Sequence, residues 1–344
     1  MGAARRGVEV CIAAAVVIVG ALVPSAGPAG AAISPPVGRA SVGTGTSKTG
    51  MAIDSLSFID GSGRYLAFTS DQALVAGDTN GTKDAFLRDR LTDTTERVSL
   101  TSGEAQATGG VSKVCGMSDD ARYVGFASAA TNLAGATPQI FLRDRKNGTT
   151  EKISVNTAEV AGNGVGSTLT SRCAVSDNGR YVAFTSASTN LVAIDTNGAF
   201  DVFVRDRTAG TTERISESST EVQANGTSNE PSISADGSLV SFTSSASNLA
   251  AGDSDTKGDI YLRNRTLGTT ELVSVSSTEV VANGSGSGAS SISADGTKVA
   301  FASNGSNLVA GDSNGAGDVF VRDRTLGTTV RASVTGSEAQ ITGT

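Results

Sequence analysis

Residues 176–215 (SDNGRYVAFTSASTNLVAIDTNGAFDVFVRDRTAGTTERI) and 293–332 (SADGTKVAFASNGSNLVAGDSNGAGDVFVRDRTLGTTVRA) are two copies of one text. Related copies run through Gly63–Val98, Asp119–Ile153 and Ser234–Val273. The first arginine of each Arg-x-Arg (Arg88, Arg143, Arg205, Arg263, Arg322) marks the period, with spacings of 55, 62, 58 and 59. Self-similarity at this length means a repeat architecture in which each unit buries its apolar surface only against its neighbours. It constrains the fold strongly and the function weakly.

One repeat resolves into four short strands. In residues 230–275, Pro231–Ser234 is the first, and Ala235-Asp236-Gly237 turns the chain, because glycine accepts positive φ without a Cβ clash. Leu239–Thr243 is the second. The longer loop 247–257 leads to the third, Asp259–Arg263, and Thr266-Leu267-Gly268 leads to the fourth, Thr270–Ser274. Continuous apolar runs such as Tyr181–Phe184 and Val202–Val204 suit strands covered on both faces. The expected fold is an all-β propeller of four-stranded antiparallel blades. Five blades are favoured, with a six-bladed ring or a truncated array as alternatives and a β-solenoid as the rival. The repeats fall at about 52–100, 110–156, 169–217, 229–277 and 288–334, within a propeller spanning 32–344. Arg39–Val42 duplicates Arg331–Val334, so the outermost-strand motif appears six times against five of the others, which leaves closure open.

The pattern Ser-x-Asp-Gly-x-x-Val-Ala-Phe-x-Ser, then Asp-Val-Phe-Val-Arg-Asp, then Gly-Thr-Thr-Glu-Arg-x-Ser resembles the TolB-like propeller repeat over roughly residues 50–335. That resemblance implies an exported propeller, usually six-bladed, that docks proteins at a ring face. This chain departs from the family by showing five repeats and no preceding α/β domain.

Composition excludes whole classes of chemistry. Histidine is absent, which removes imidazole bases, Ser-His-Asp machinery and His-ligated zinc. Tryptophan is absent as well, and net charge is −7, against nucleic acid and anionic membrane surfaces. Arg5 and Arg6, the apolar run Cys11–Val23 and the small residues Ala29-Gly30-Ala31 read as a signal peptide over residues 1–31, with an uncleaved anchor as the alternative. Cys11 opens that run, so it is not a lipid-attachment cysteine. The mature protein is expected to be exported (extracellular or periplasmic), free of stable membrane insertion, and monomeric. Cys115 and Cys173 occupy one repeat position in successive repeats. Either they form a disulfide, given a Cα separation of ~4.4–6.8 Å, or they are two buried thiols.

One constellation could carry chemistry. The second-to-third-strand loop reads Asp-x-Asn-Gly-x-x-Asp at Asp78, Asn80 and Asp84, at Asp195, Asn197 and Asp201, and at Asp312, Asn314 and Asp318. A variant places Asp253, Asp255 and Asp259 there. Oxygens at positions one, three and seven can wrap Ca²⁺, which needs roughly six to eight oxygen ligands. Equally, Asp and Asn cap turns through their own side chains, and copying a blade copies its turn. The second repeat drops the motif (TNLAGATPQ, 131–139). The Arg-x-Arg triplets and Glu96, Glu151, Glu213 and Glu271 are expected to pair across a hairpin. Asn132, Asn190, Asn248 and Asn307 are expected to close loops by side-chain hydrogen bonds.

The functional expectation is a non-catalytic interaction scaffold that docks a protein at a propeller face, stabilised by calcium if the loops bind it. The alternatives are a carboxylate-based enzyme of the glycoside-active type and a passive structural repeat. Glu217 and Glu230 depart from the repeat and are expected near blade edges, in surface linkers.

Overall fold

The computed structural model describes residues 53–341, apart from 136, 165–171, 287 and 337–338. The expected signal peptide and the Arg39–Val42 motif therefore lie outside the described residues. Twenty strands form five four-stranded antiparallel sheets, each a simple meander of consecutive strands. The architecture is a five-bladed β-propeller with no helix among the described residues. Blade 1 is β1–β4 (Ile53–Ile59, Tyr65–Ser70, Asp84–Asp89, Thr94–Arg97), and blade 2 is β5–β8 (Ser112–Met117, Tyr123–Ser128, Gln139–Asp144, Thr149–Lys152). Blade 3 is β9–β12 (Cys173–Val175, Tyr181–Ser186, Asp201–Asp206, Thr211–Arg214). Blade 4 is β13–β16 (Ser228–Ile233, Leu239–Ser244, Asp259–Asn264, Thr269–Leu272). Blade 5 is β17–β20 (Ser291–Ile292, Lys298–Ser303, Asp318–Asp323, Thr328–Arg331). The innermost strands gather round an axis: the Arg172 guanidinium, just before β9 in blade 3, lies 5.7 Å over Phe58 of blade 1.

Within a blade, the second and third strands supply both faces. Phe184 pairs with Phe203 across the strands, and the rings stack at 5.8 Å; every blade repeats this pair, as Phe242 and Tyr261 do in blade 4. Alternate residues point the other way. Ala183, Val202 and Val204 of blade 3 cluster with Val240, Phe242, Leu249 and Tyr261 of blade 4. Leu239, Ile260 and Leu262 of blade 4 meet Val299, Phe301 and Phe320 of blade 5 in the same way. The aliphatic face of one blade thus takes the aromatic face of the next, and burial at ~25 cal/mol per Å² makes this the main cohesive term. The first-to-second-strand turn must come close to do this. A Cβ on Gly237 (φ 77°) would fall 2.2 Å from the Tyr181 ring of the preceding blade.

Charges join the blades too, and here the hairpin pairing expected from sequence is corrected. Glu96 lies opposite Leu87 in its own sheet, so it has no arginine across the hairpin. It pairs instead with Arg145 of blade 2, as Glu151 does with Arg207, Glu213 with Arg265 and Glu271 with Arg324. In blades 2–5 the first arginine of the triplet reaches a second glutamate of the preceding blade: Arg143 to Glu104, Arg205 to Glu159, Arg263 to Glu221 and Arg322 to Glu279. These second glutamates sit at φ 59–61° in the small hairpin that leaves each fourth strand. Three interfaces add a guanidinium sandwich, in which Tyr65, Tyr123 and Tyr181 lie between an arginine of their own blade and Arg145, Arg207 and Arg265 of the next. The loop asparagines close as expected, but onto the arriving linker: Asn132 accepts from Thr108 N and donates to Gln106 O.

Cys115 and Cys173 form a disulfide that staples β5 to β9, with Cα atoms 4.9 Å apart. Blade 2 makes room for it. Where the other blades carry Ala67, Ala183, Ser241 and Ala300, it carries Gly125, and a Cβ there would lie 2.5 Å from the Cys173 sulfur.

Candidate functional site

The four Asp-rich loops separate into two kinds. In blades 1, 3 and 5 a glutamine from the outgoing linker inserts between the carboxylates. Gln106 Nε2 donates to Asp78 Oδ1 at 2.8 Å and to Asp84 Oδ2 at 3.4 Å, while Asn80 Nδ2 donates to Asp84 Oδ2 at 2.8 Å. Gln223 does the same to Asp195 (2.8 Å) and Asp201 (3.1 Å), with Asn197 also donating to Asp201. Gln340 reaches Asp312 at 2.8 Å, and Asn314 donates to Asp318 at 3.3 Å. An arginine adds its charge: Arg97 is 3.3 Å from Asp78 and Arg331 is 3.5 Å from Asp312. Side-chain amide hydrogens thus point at the oxygens that a cation would need, and a guanidinium charge lies beside them. Asp84, Asp201 and Asp318 also each accept a serine hydroxyl, from Ser99, Ser216 and Ser333. Burial pushes the Asp78 and Asp201 carboxyls up.

Blade 4 removes both counter-donors at once. Val281 stands where the glutamine would be, Leu272 where the arginine would be, and Asp255 where the asparagine would be. Asp253, Asp255 and Asp259 then place one carboxylate oxygen each within 4.8 Å of one another. Asp259 is 1% exposed and its Oδ1 accepts from Ser274. Its carboxyl is pushed up to about 6, first by burial and then, against the Ser274 hydrogen bond, by Asp253 and Asp255. Asp253 accepts the Tyr261 hydroxyl, which replaces the phenylalanine of the other blades. Lys257 at the exposed rim pairs with Asp255 at 2.8 Å. Blade 2 has no such acids: Gln139 replaces the last aspartate and donates to Gly162 O.

Of the two carboxylates that depart from the repeat, Glu217 lies in a linker as expected but is largely buried, and Glu230 lies in a strand. Glu230 belongs to the innermost strand β13, at φ 53° in a bulge, with Arg172 of blade 3 at 3.8 Å. Burial raises its pKa against the pull of Arg172. Glu217 replaces the apolar Leu100, Val155, Val275 and Val334 of the other repeats and binds Arg214 at 2.9 Å. Its carboxyl is pushed up to about 7, first by burial, next by Glu221, with Arg214 opposing. The folded state therefore holds a proton that the unfolded chain releases. That contribution is complete below about pH 4.5 and is lost as pH rises to about 7. Glu217→Gln should flatten this fall in urea-unfolding free energy; a variant that keeps the wild-type slope would remove Glu217 as its source.

A cleft of about 470 Å³ between blades 1 and 2 is lined by Arg97, Arg143, Arg145, Glu96 and Glu104. Arg143 and Arg145 are spent on the two glutamates and Arg97 on Asp78, so the cleft is an inter-blade seam. No residue of the inserted glutamines was visible as a partner in the sequence reading. The signal was there, since Gln106, Gln223 and Gln340 follow the Asp-x-Asn loops and Val281 follows the Asp-x-Asp loop.

No family model matches this chain, and no curated protein matches it. Solved structures that align include TolB from Acinetobacter baumannii, at 14% identity and a TM-score of 0.46 over 78% of this chain and 51% of that one. The chain spans about half the length of that protein. An oligogalacturonate lyase in complex with manganese aligns at 14% identity and 0.47 over 78% of this chain and 62% of its own. The β-propeller domain of the Trilobed protease from Pyrococcus furiosus aligns at 10% and 0.47 over 80% and 69%. Scores at this level leave the propeller assignment to rest on the sheet geometry above. No described helix is long and apolar enough to cross a membrane.

Proposed function

We propose that this protein is an exported, non-catalytic interaction scaffold whose blade 4 loop takes a calcium ion. The observation that carries the scaffold reading is how the carboxylates are used. The inter-blade glutamates are held by arginines, and Asp84, Asp201 and Asp318 are held by serine, asparagine and glutamine donors. They brace a frame, and a frame with loops from several blades at one face suits docking. Two departures, the partly buried Glu217 and Glu230, keep a carboxylate enzyme as the second reading. Immobilised protein should retain one defined protein from the secreted fraction of its source, with a Kd unchanged by Glu217→Gln or Glu230→Gln. Turnover of an oligosaccharide that either substitution abolishes would decide for the enzyme.

The calcium reading is narrowed from four loops to Asp253, Asp255 and Asp259. There a hard cation would find three carboxylates without the glutamine and arginine side chains of the other loops, with Lys257 at the rim as the one cation to displace and carbonyls or water completing its shell. Metal-stripped protein should melt at a higher temperature in millimolar Ca²⁺ than in Mg²⁺, by about 2.7 kcal/mol of added stability at 100-fold excess over Kd. Asp255→Asn should abolish the shift, and Asp195→Asn should leave it intact. No shift in the wild type returns all four loops to turns.

A further inference from the structure

The two terminal blades depart from the repeat in complementary ways. In blades 2–5 the first arginine of the triplet directs Nη2 to a glutamate of the preceding blade. Arg88 of blade 1 directs the same nitrogen to Asp93, in its own β3–β4 turn, at 2.6 Å. Asp93 stands where the other blades carry Gly148, Gly210, Gly268 and Gly327, and it keeps their left-handed backbone at φ 56°. At the far end, Val330 occupies the place of Glu96, Glu151, Glu213 and Glu271, and it is 55% exposed. The face of blade 5 that would receive another blade is also open. Val319 and Val321 are half-buried, whereas their counterparts in the other blades, such as Val202 and Val204, are fully buried.

We propose that blades 1 and 5 are built as ends, that the propeller stays open between them, and that Asp93 supplies from within blade 1 the carboxylate that a neighbour supplies elsewhere. The Arg88 side chain is 7% exposed and needs an anionic acceptor. If blade 5 sealed against blade 1 and brought a glutamate there, two carboxylates would crowd one guanidinium nitrogen. An aspartate would also be strained to no purpose where glycine is free of strain. The second arginine agrees: Arg90 would meet Val330, which cannot accept its hydrogen bond, and Arg90 binds the Gly63 carbonyl of its own blade. Sealing would also cover Val319 and Val321, as it covers their counterparts.

Distances between equivalent turn positions test the gap. Nitroxide labels carried on unnatural keto residues, which leave the cysteines untouched, are placed at Thr92 and Leu326, and in a second sample at Leu267 and Leu326. All three sites are exposed. The Leu267–Leu326 pair measures adjacent blades. The Thr92–Leu326 distance is expected to exceed it, by about 1.7-fold if the ring has six places with one empty. Equal distances would mean a sealed five-fold ring and overturn the proposal. Asp93→Gly and Arg88→Met, alone and combined, give the second reading. Strongly non-additive melting shifts are expected, and additive shifts would remove the capping role of Asp93.

Discussion

Replacing Cys115 and Cys173 together by serine is expected to lower the unfolding free energy by about 4 kcal/mol, the chain-entropy value for a closed loop of this length. The bond ties the innermost strands of blades 2 and 3, and both cysteines are 1–2% exposed in a cluster with Ile140, Phe184 and Phe203. Serine hydroxyls in that cluster would add the cost of unpaired polar groups, about 1–3 kcal/mol each. Urea titrations of the oxidised wild type, the reduced wild type and the double variant separate the two contributions. Gly125→Ala should fall between them, because its Cβ would press on the Cys173 sulfur at 2.5 Å. A double variant with the wild-type midpoint would show that the staple adds nothing to the folded ensemble.

Arg205→Met is expected to cost about 1–3 kcal/mol, because it strips a donor from acceptors in two blades but leaves behind a glutamate that water can solvate. The Arg205 side chain is 3% exposed and serves Glu159, Asn156 O and Thr212 Oγ1, which lie in both blades it joins. Its partner is not equivalent. Glu159 is 66% exposed, but removing its charge leaves the buried Arg205 guanidinium without an anion, so Glu159→Gln should cost more, about 3–5 kcal/mol. The asymmetry is the test. Equal losses from both substitutions would make this a surface ion pair and would return cohesion to the apolar faces alone. Melting the two variants side by side, with salt varied, decides it.

The strands were legible because their signals are local. Asp236-Gly237 and Leu267-Gly268 fix two turns, and the apolar runs between them fix two covered strands. The second strand expected at Leu239–Thr243 is found at Leu239–Ser244, and the third, expected at Asp259–Arg263, at Asp259–Asn264. The fourth strand ends at Leu272, two residues short of expectation, because Ser274 turns its hydroxyl to Asp259 instead of continuing the ladder. What joins blade to blade was not legible. Arg205 and Glu159 lie 46 residues apart, and only the packing of successive sheets brings them together. The loops show the same limit: Asp78, Asn80 and Asp84 look like a cation ligand set until Gln106, 22 residues on, is seen to fill it. Comparing repeats within the chain would have exposed both, since Gly125, Asp93 and the Val281–Asp255 pair each break the pattern where a contact changes.

The arginine–glutamate join between blades has a direction: blades 1–4 offer glutamates forward, and blades 2–5 offer arginines back. A module with unlike ends can be copied or excised by unequal recombination without redesigning any contact, since every new junction repeats an existing one. Selection then has only the two terminal positions to edit, and a single codon change from glycine to aspartate at position 93 suffices for one of them. Chain length in such a lineage is free to drift in whole blades, so blade number should vary among relatives more readily than blade sequence.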